Sequence, residues 1–166
     1  YLRKNNPKFP FARLLYKTRI SSEDTVAQFM QSGAVDFSKE VVLEKNVDIA
    51  LPGSGNTSPS YHLECKEYTD NRIVFNVTTD QTAVLSVSEI WYPAWKAKID
   101  GSSTEVYRAN YCFRGVIVPV GTHTIEMYYE SSAFIRGRWV TILTLILSFA
   151  GIVVIEIQKR RMKVKR

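Results

Sequence analysis

Cysteine and histidine are scarce, with two of each in 166 residues. Neither His62 nor His123 has a second His or a Cys at metal-ligand spacing, so the sequence offers no metal site. Glycine is too dispersed to build a phosphate-cradling loop, and there is no Gly-x-Ser-x-Gly elbow. The acids are scattered over strands and turns. None lies in an apolar run that would raise its pKa, as an acid/base pair for glycoside hydrolysis requires. No catalytic residue is assigned on these grounds, and no cofactor is expected in this segment.

Excess charge is also missing from most of the chain. The net charge is +6, from 22 Lys and Arg against 16 Asp and Glu, but the last nine residues hold six of the bases and no acid. The remaining body is therefore balanced, at sixteen of each sign. No basic stripe interleaved with aromatics appears, which argues against a nucleic-acid partner.

Long apolar runs are absent with one exception. Residues 139–155, WVTILTLILSFAGIVVI, carry no charge. At about 1.5 Å per residue a helix of this length spans roughly 25 Å, close to the thickness of a bilayer core. Arg136 and Arg138 flank one end, and Lys159, Arg160 and Arg161 the other. The excess of bases behind the run places the tail in the cytoplasm and the body outside. The expected organisation is an extracytoplasmic domain over residues 1–133, a transmembrane helix over 134–157 and a basic cytoplasmic tail over 158–166. The lipid bilayer is then one partner. The chain begins with Tyr1 and carries no signal peptide, and a body of this size does not cross a membrane unaided. It is expected to be the C-terminal piece of a larger membrane protein whose upstream transmembrane domain is a second partner.

The body alternates with period two. Residues 83–92 form an extended run that stops at Pro93. Trp95, Ala97 and Ile99 alternate with Lys96 and Lys98, and Asp100-Gly101 turns the chain, since glycine accepts the positive φ of a tight hairpin. Residues 105–119 and 123–129 follow as two further runs, separated by Pro119 and Gly121. Upstream, 11–16, 40–44, 61–68 and 72–78 are strand candidates, with Ile73, Phe75 and Val77 facing inward. Ser21 or Ser22 caps a helix with Glu23 and Asp24 in its first turn, Val26, Phe29 and Met30 on one face, and Gly33 at its end. That helix is expected to lie across a sheet edge. Residues 51–60, rich in Gly, Pro and Ser, read as a loop. The fold class is mainly β: an antiparallel β-sandwich of jelly-roll or carbohydrate-module type with one short helix, followed by a C-terminal transmembrane helix.

Cys65 and Cys112 fall in predicted strands. Outside the cytoplasm they can form a disulfide, or else serve as two small buried hydrophobes. Trp91, Tyr92, Trp95, Tyr107, Tyr111 and Phe113 make a dense aromatic set. Such residues build sandwich cores, and Trp95 is read as inward; where they are exposed they also stack on sugars. Tyr92 and Tyr107 are the candidates for exposure and glycan contact.

The string Trp91-Tyr92-Pro93-Ala94-Trp95-Lys96-Ala97, followed by Asp100-Gly101, by Val118-Pro119-Val120-Gly121-Thr122-His123, and by Tyr129, Phe134 and Gly137, resembles the C-terminal region of the YfhO family. Where that family usually carries Gly before the tryptophan, this chain has Ala94. The family consists of bacterial multi-pass membrane proteins similar to GT-C-like glycosyltransferases. The resemblance implies a parent enzyme in the cell envelope that moves sugar from a polyprenyl-phosphate donor to an envelope glycan such as teichoic acid. It also implies that the catalytic acid lies in an upstream loop, so that this segment is non-catalytic and meets the glycan acceptor, covers the catalytic domain or braces the last helix. The alternative from another class is a membrane-anchored carbohydrate-binding or adhesion module.

Overall fold

The structure is a computed structural model that describes residues 11–44 and 59–164. Most of the loop expected at 51–60 and the leading segment 1–10 lie outside the described residues. The chain divides into two units, one ending at Glu130 and one beginning at Ser131. The expected boundary was residue 133.

Among the described residues the first unit holds eleven strands. They are β1 (Ala12–Leu15), β2 (Lys17–Ile20), β3 (Glu40–Leu43), β4 (Tyr61–Tyr68), β5 (Arg72–Thr79), β6 (Ala83–Ile90), β7 (Trp95–Ile99), β8 (Ser102–Thr104), β9 (Tyr107–Ala109), β10 (Phe113–Val118) and β11 (Gly121–Tyr129). Six form one sheet in the order β1-β6-β10-β9-β3-β2, and five form another in the order β4-β5-β11-β7-β8. Among the paired strands all are antiparallel except β2 and β3. The molecule is thus mainly β and sandwich-like, as the alternation predicts.

Alternation puts one side chain in two onto the shared core. Leu14, Leu85, Val87, Val116 and Val118 of the six-stranded sheet meet Ile73, Phe75, Val77, Ile125 and Met127 of the other. The opposite face of the six-stranded sheet carries a second apolar layer of Leu15, Val41, Leu43, Val84, Ala109 and Ile117. Gly115 lies within that layer. A Cβ added there would come within 3.2 Å of the Ala109 Cβ and 3.3 Å of a Val84 methyl. The absent side chain lets three strands close up.

The parallel pair needs a crossover, which α1 (Glu23–Ser32) supplies. Ser22 precedes it in an extended conformation and Gly33 ends it at φ 67°, a left-handed turn that glycine adopts without steric cost. Val26 is fully buried against Val35 and Val42, with Phe29 and Phe37 beside them. The helix therefore covers β3, one strand in from the edge. Strand β2 had no signature in the sequence: its residues Lys-Thr-Arg-Ile are mostly exposed. Charge holds it instead, since Lys17 and Arg19 reach the buried carboxylate of Glu40 at 3.0 and 2.8 Å. The Arg19 hydrogen bond leads the effects that keep the Glu40 pKa below its usual value.

Two corrections apply to the strands after Pro93. The hairpin at Asp100-Gly101, with φ of 50° and 83°, joins β7 to a further three-residue strand, β8. The run 105–119 is two strands, not one. Asn110 and Tyr111 adopt positive φ, 47° and 75°, and bend β9 back onto β10. The buried Asn110 side chain accepts a bond from the Val42 amide at 2.8 Å, and its own amide donates to the Val42 carbonyl at 2.8 Å.

The second unit is α2 (Ser132–Val164), which continues through the basic tail. Within it, Ser132–Ile155 is long and apolar enough to cross a membrane, with a mean hydropathy of 2.1 and none of it buried against protein. Arg136 and Arg138 lie in the first turns of this helix, ahead of the uncharged run 139–155. The side chains of Lys159, Arg160 and Arg161 lie outside the described residues.

Candidate functional site

The site grows from the break between β6 and β7. Pro93 cannot donate to a ladder, so the extended run ends there. The Trp91 amide donates to the Cys112 carbonyl at 2.7 Å, and the Trp95 amide closes the turn on the Tyr92 carbonyl at 3.0 Å. The Trp91 indole Nε1 donates to the Val106 carbonyl at 3.0 Å, which fixes the ring beside the start of β9. Between these elements lies a cleft of about 250 Å³. Trp91, Pro93 and Trp95 form its aromatic side, and Lys96, Thr104, Glu105 and Val106 form the rest.

Trp95 is inward, as its alternation predicts, but only partly buried. The Arg114 guanidinium lies 3.7 Å from the centre of its ring, and Tyr129 meets it edge-on at 5.7 Å. Arg114 is almost fully buried, at 4% exposure. Its Nε donates to the Ile90 carbonyl at 3.1 Å, its Nη2 lies 3.7 Å from Glu89, and its Nη1 has no hydrogen-bond partner. Burial lowers its pKa, and the Glu89 charge opposes that. Guanidinium still stays charged, so Trp95 has a fixed cation on its ring. Cross-strand to Arg114 stands Arg108. It donates to both carboxylate oxygens of Glu23 on α1, at 3.0 and 2.8 Å, and to the Tyr111 carbonyl at 2.6 Å. Glu44 lies 3.3 Å from the same guanidinium. Desolvation nonetheless holds the Glu44 carboxyl above its usual pKa, with Arg108 opposing.

The two tyrosines singled out from the sequence part company here. Tyr92 is exposed and stacks on Tyr129, with ring centroids 6.3 Å apart. Tyr107 is half-buried against the second apolar layer, because it sits opposite Gly115 on the far face of the sheet. The structure does not bring the pair together. Arg114 had no signal in the sequence, where a basic residue in a strand reads as facing solvent.

Cys65 and Cys112 are free thiols, so the bridge considered from the sequence is not formed. Cys65 lies in β4 of the five-stranded sheet, whereas Cys112 lies in the turn before β10 of the other. Burial raises the Cys65 thiol pKa, which disfavours the reactive thiolate. His123 pairs with Asp100 at 2.7 Å through Nδ1 and with the Val120 carbonyl at 3.2 Å through Nε2. Both ring nitrogens are committed, leaving none to act as a base. Glu67 and Glu126 each pair with Arg72. Among the described residues no group of three His, Cys, Asp or Glu is placed to hold a metal ion.

Comparison with known proteins gives one result. The chain matches the family described as bacterial membrane protein YfhO over residues 27–141, from α1 into the start of α2. No curated protein and no solved structure is significantly similar. The match takes in the Trp91–Trp95 cleft, the hairpins around it and the entry to the apolar helix, and it covers more than half of the chain. The chain therefore belongs to the YfhO family of bacterial membrane proteins.

Proposed function

We propose that residues 1–133 are an extracytoplasmic, non-catalytic domain of a membrane glycosyltransferase-like protein, and that the domain receives the acceptor glycan. The parent would transfer sugar from a polyprenyl-phosphate donor to an envelope glycan such as teichoic acid, with its chemistry in an upstream transmembrane domain. The observation that carries the acceptor role is the cleft beside Trp91 and Trp95. It combines aromatic walls with Thr104, Glu105 and Lys96 as polar partners, the pairing that sugar recognition uses. At about 250 Å³ it is smaller than a drug-sized site of roughly 300–1,000 Å³, which suits one terminal sugar unit. Tyr92, between two cleft residues, is the exposed aromatic at its side. Tyr107 no longer serves this reading.

The test is binding by the full chain in detergent micelles, followed through tryptophan fluorescence during titration with teichoic-acid fragments. A saturable change is expected, weakened about tenfold or more by Thr104→Val combined with Lys96→Ala. No change with any envelope glycan would sink the acceptor role. Binding with no upstream membrane domain in the parent would favour an anchored carbohydrate-binding or adhesion module.

A further inference from the structure

One end of the sandwich is built from exposed tyrosines. Five tyrosines with large exposed surface occur among the described residues, and Tyr68, Tyr92, Tyr111 and Tyr129 share this end with Ile90; only Tyr61 does not. Backbone bonds gather them. Tyr129 donates to the Asn71 carbonyl at 2.9 Å, just past Tyr68, and Trp91 donates to Cys112 at 2.7 Å, joining Tyr92 to Tyr111. The Tyr68 hydroxyl reaches Glu89 at 2.7 Å. Both ends carry acids in their turns, Asp70 at this one and Asp80 and Asp100 at the other.

The chain leaves the sandwich from the tyrosine end. The Glu130 amide is tied to the Ala94 carbonyl at 2.8 Å, and the helix of the apolar run starts at Ser132. Two residues of extended chain reach only about 7 Å, so the link from Glu130 to Ser132 spans no more than that. Tyrosine has an apolar ring with a polar tip, which suits the headgroup layer and explains its enrichment there.

We infer that Tyr68, Ile90, Tyr92, Tyr111 and Tyr129 form a seat on the bilayer, with the rings held in the headgroup layer. The surface commits to lipid because the apolar helix begins three residues beyond Tyr129. The inference shares Tyr92 with the acceptor role but does not rest on it: it needs only that the apolar helix crosses the membrane.

The full chain, with Cys65→Ser and Cys112→Ser, is reconstituted into phosphatidylcholine–phosphatidylglycerol vesicles. A single cysteine at Asn71 or at Gln81 carries a bimane, and nitroxide-headgroup lipid is the quencher. Quenching is expected at Asn71 and not at Gln81. Because the tether alone brings Asn71 near the surface, the deciding variant is Tyr68→Ser with Tyr92→Ser and Tyr111→Ser. It should at least halve quenching at Asn71 while circular dichroism stays unchanged. Should that variant lose its fold, Ile90→Glu replaces it, putting a charge on the seat at a side chain 72% exposed. Quenching in the variant equal to the parent's overturns the inference. So does an unquenched parent, which would mean that another surface, glycan or protein, covers the tyrosines.

Discussion

His123 accepts its position from two acceptors, Asp100 Oδ2 and the Val120 carbonyl. Only the doubly protonated ring donates to both, and its pKa is raised accordingly, with the Asp100 bond the leading cause. The same bond leads the lowering of the Asp100 pKa. The signs fix a window. The histidine's contribution is complete below its unfolded pKa of about 6.5 and fades as pH rises through the higher folded value. The aspartate's contribution is present above about 4 and fades as pH falls through its depressed value. Thermal melts of the parent should thus drop in Tm from pH 6 to pH 8, and Asp100→Asn should flatten that slope; equal slopes would count against the pairing. Gly115 gives a second case. Gly115→Ala should destabilise by about 1–3 kcal/mol in chemical denaturation, because its Cβ meets Ala109 and Val84 on rigid strands. Trp95→Ala should cost more, about 3–5 kcal/mol, since it removes a large ring and uncovers the buried Arg114. Arg114 itself shows the limit of sequence reading at this scale: its burial is created by a tryptophan from another sheet, which no local pattern announces.

Elements were legible where alternation and punctuation agreed. Strand β7 was read with its observed bounds, and helix α1 was anticipated from its Ser cap and terminal Gly33. Strands β2 and β8 were not, because their residues are polar and exposed and only partners hold them in place. The break between β9 and β10 was missed because Asn110 stands in a run of strand formers, and its left-handed turn is stabilised by Val42, 68 residues earlier. For β2, Glu40→Gln should loosen the edge strand by weakening its contacts to Lys17 and Arg19. Hydrogen exchange would then show faster exchange at residues 17–20 with β6 and β10 unchanged. Equal protection throughout would mean that backbone pairing with β3 suffices.

At the scale of the whole molecule, the distribution of bases about the apolar helix leads to a proposed topology. The tail should be cytoplasmic and the sandwich outside. A membrane-impermeant thiol reagent applied to intact cells should label a cysteine at Ser103 and miss one at Lys163; the reverse pattern would overturn the orientation. The sandwich and the apolar helix were visible in the sequence; of the cleft only the aromatic set was, and it reads there mainly as core, with Tyr92 and Tyr107 as the candidates for exposure. The grouping of the outer tyrosines beside the cleft was not, because chain turns from both sheets assemble them. Strand order carries a further consequence, for biogenesis. The last strand made, β11, lies in the middle of its sheet, between β5 and β7. Until it emerges, both neighbours expose unpaired edges, which are templates for aggregation. The five-stranded sheet therefore cannot close until synthesis has passed Tyr129, three residues before the apolar helix begins. A nascent chain that stalls earlier leaves β5 and β7 as open edges.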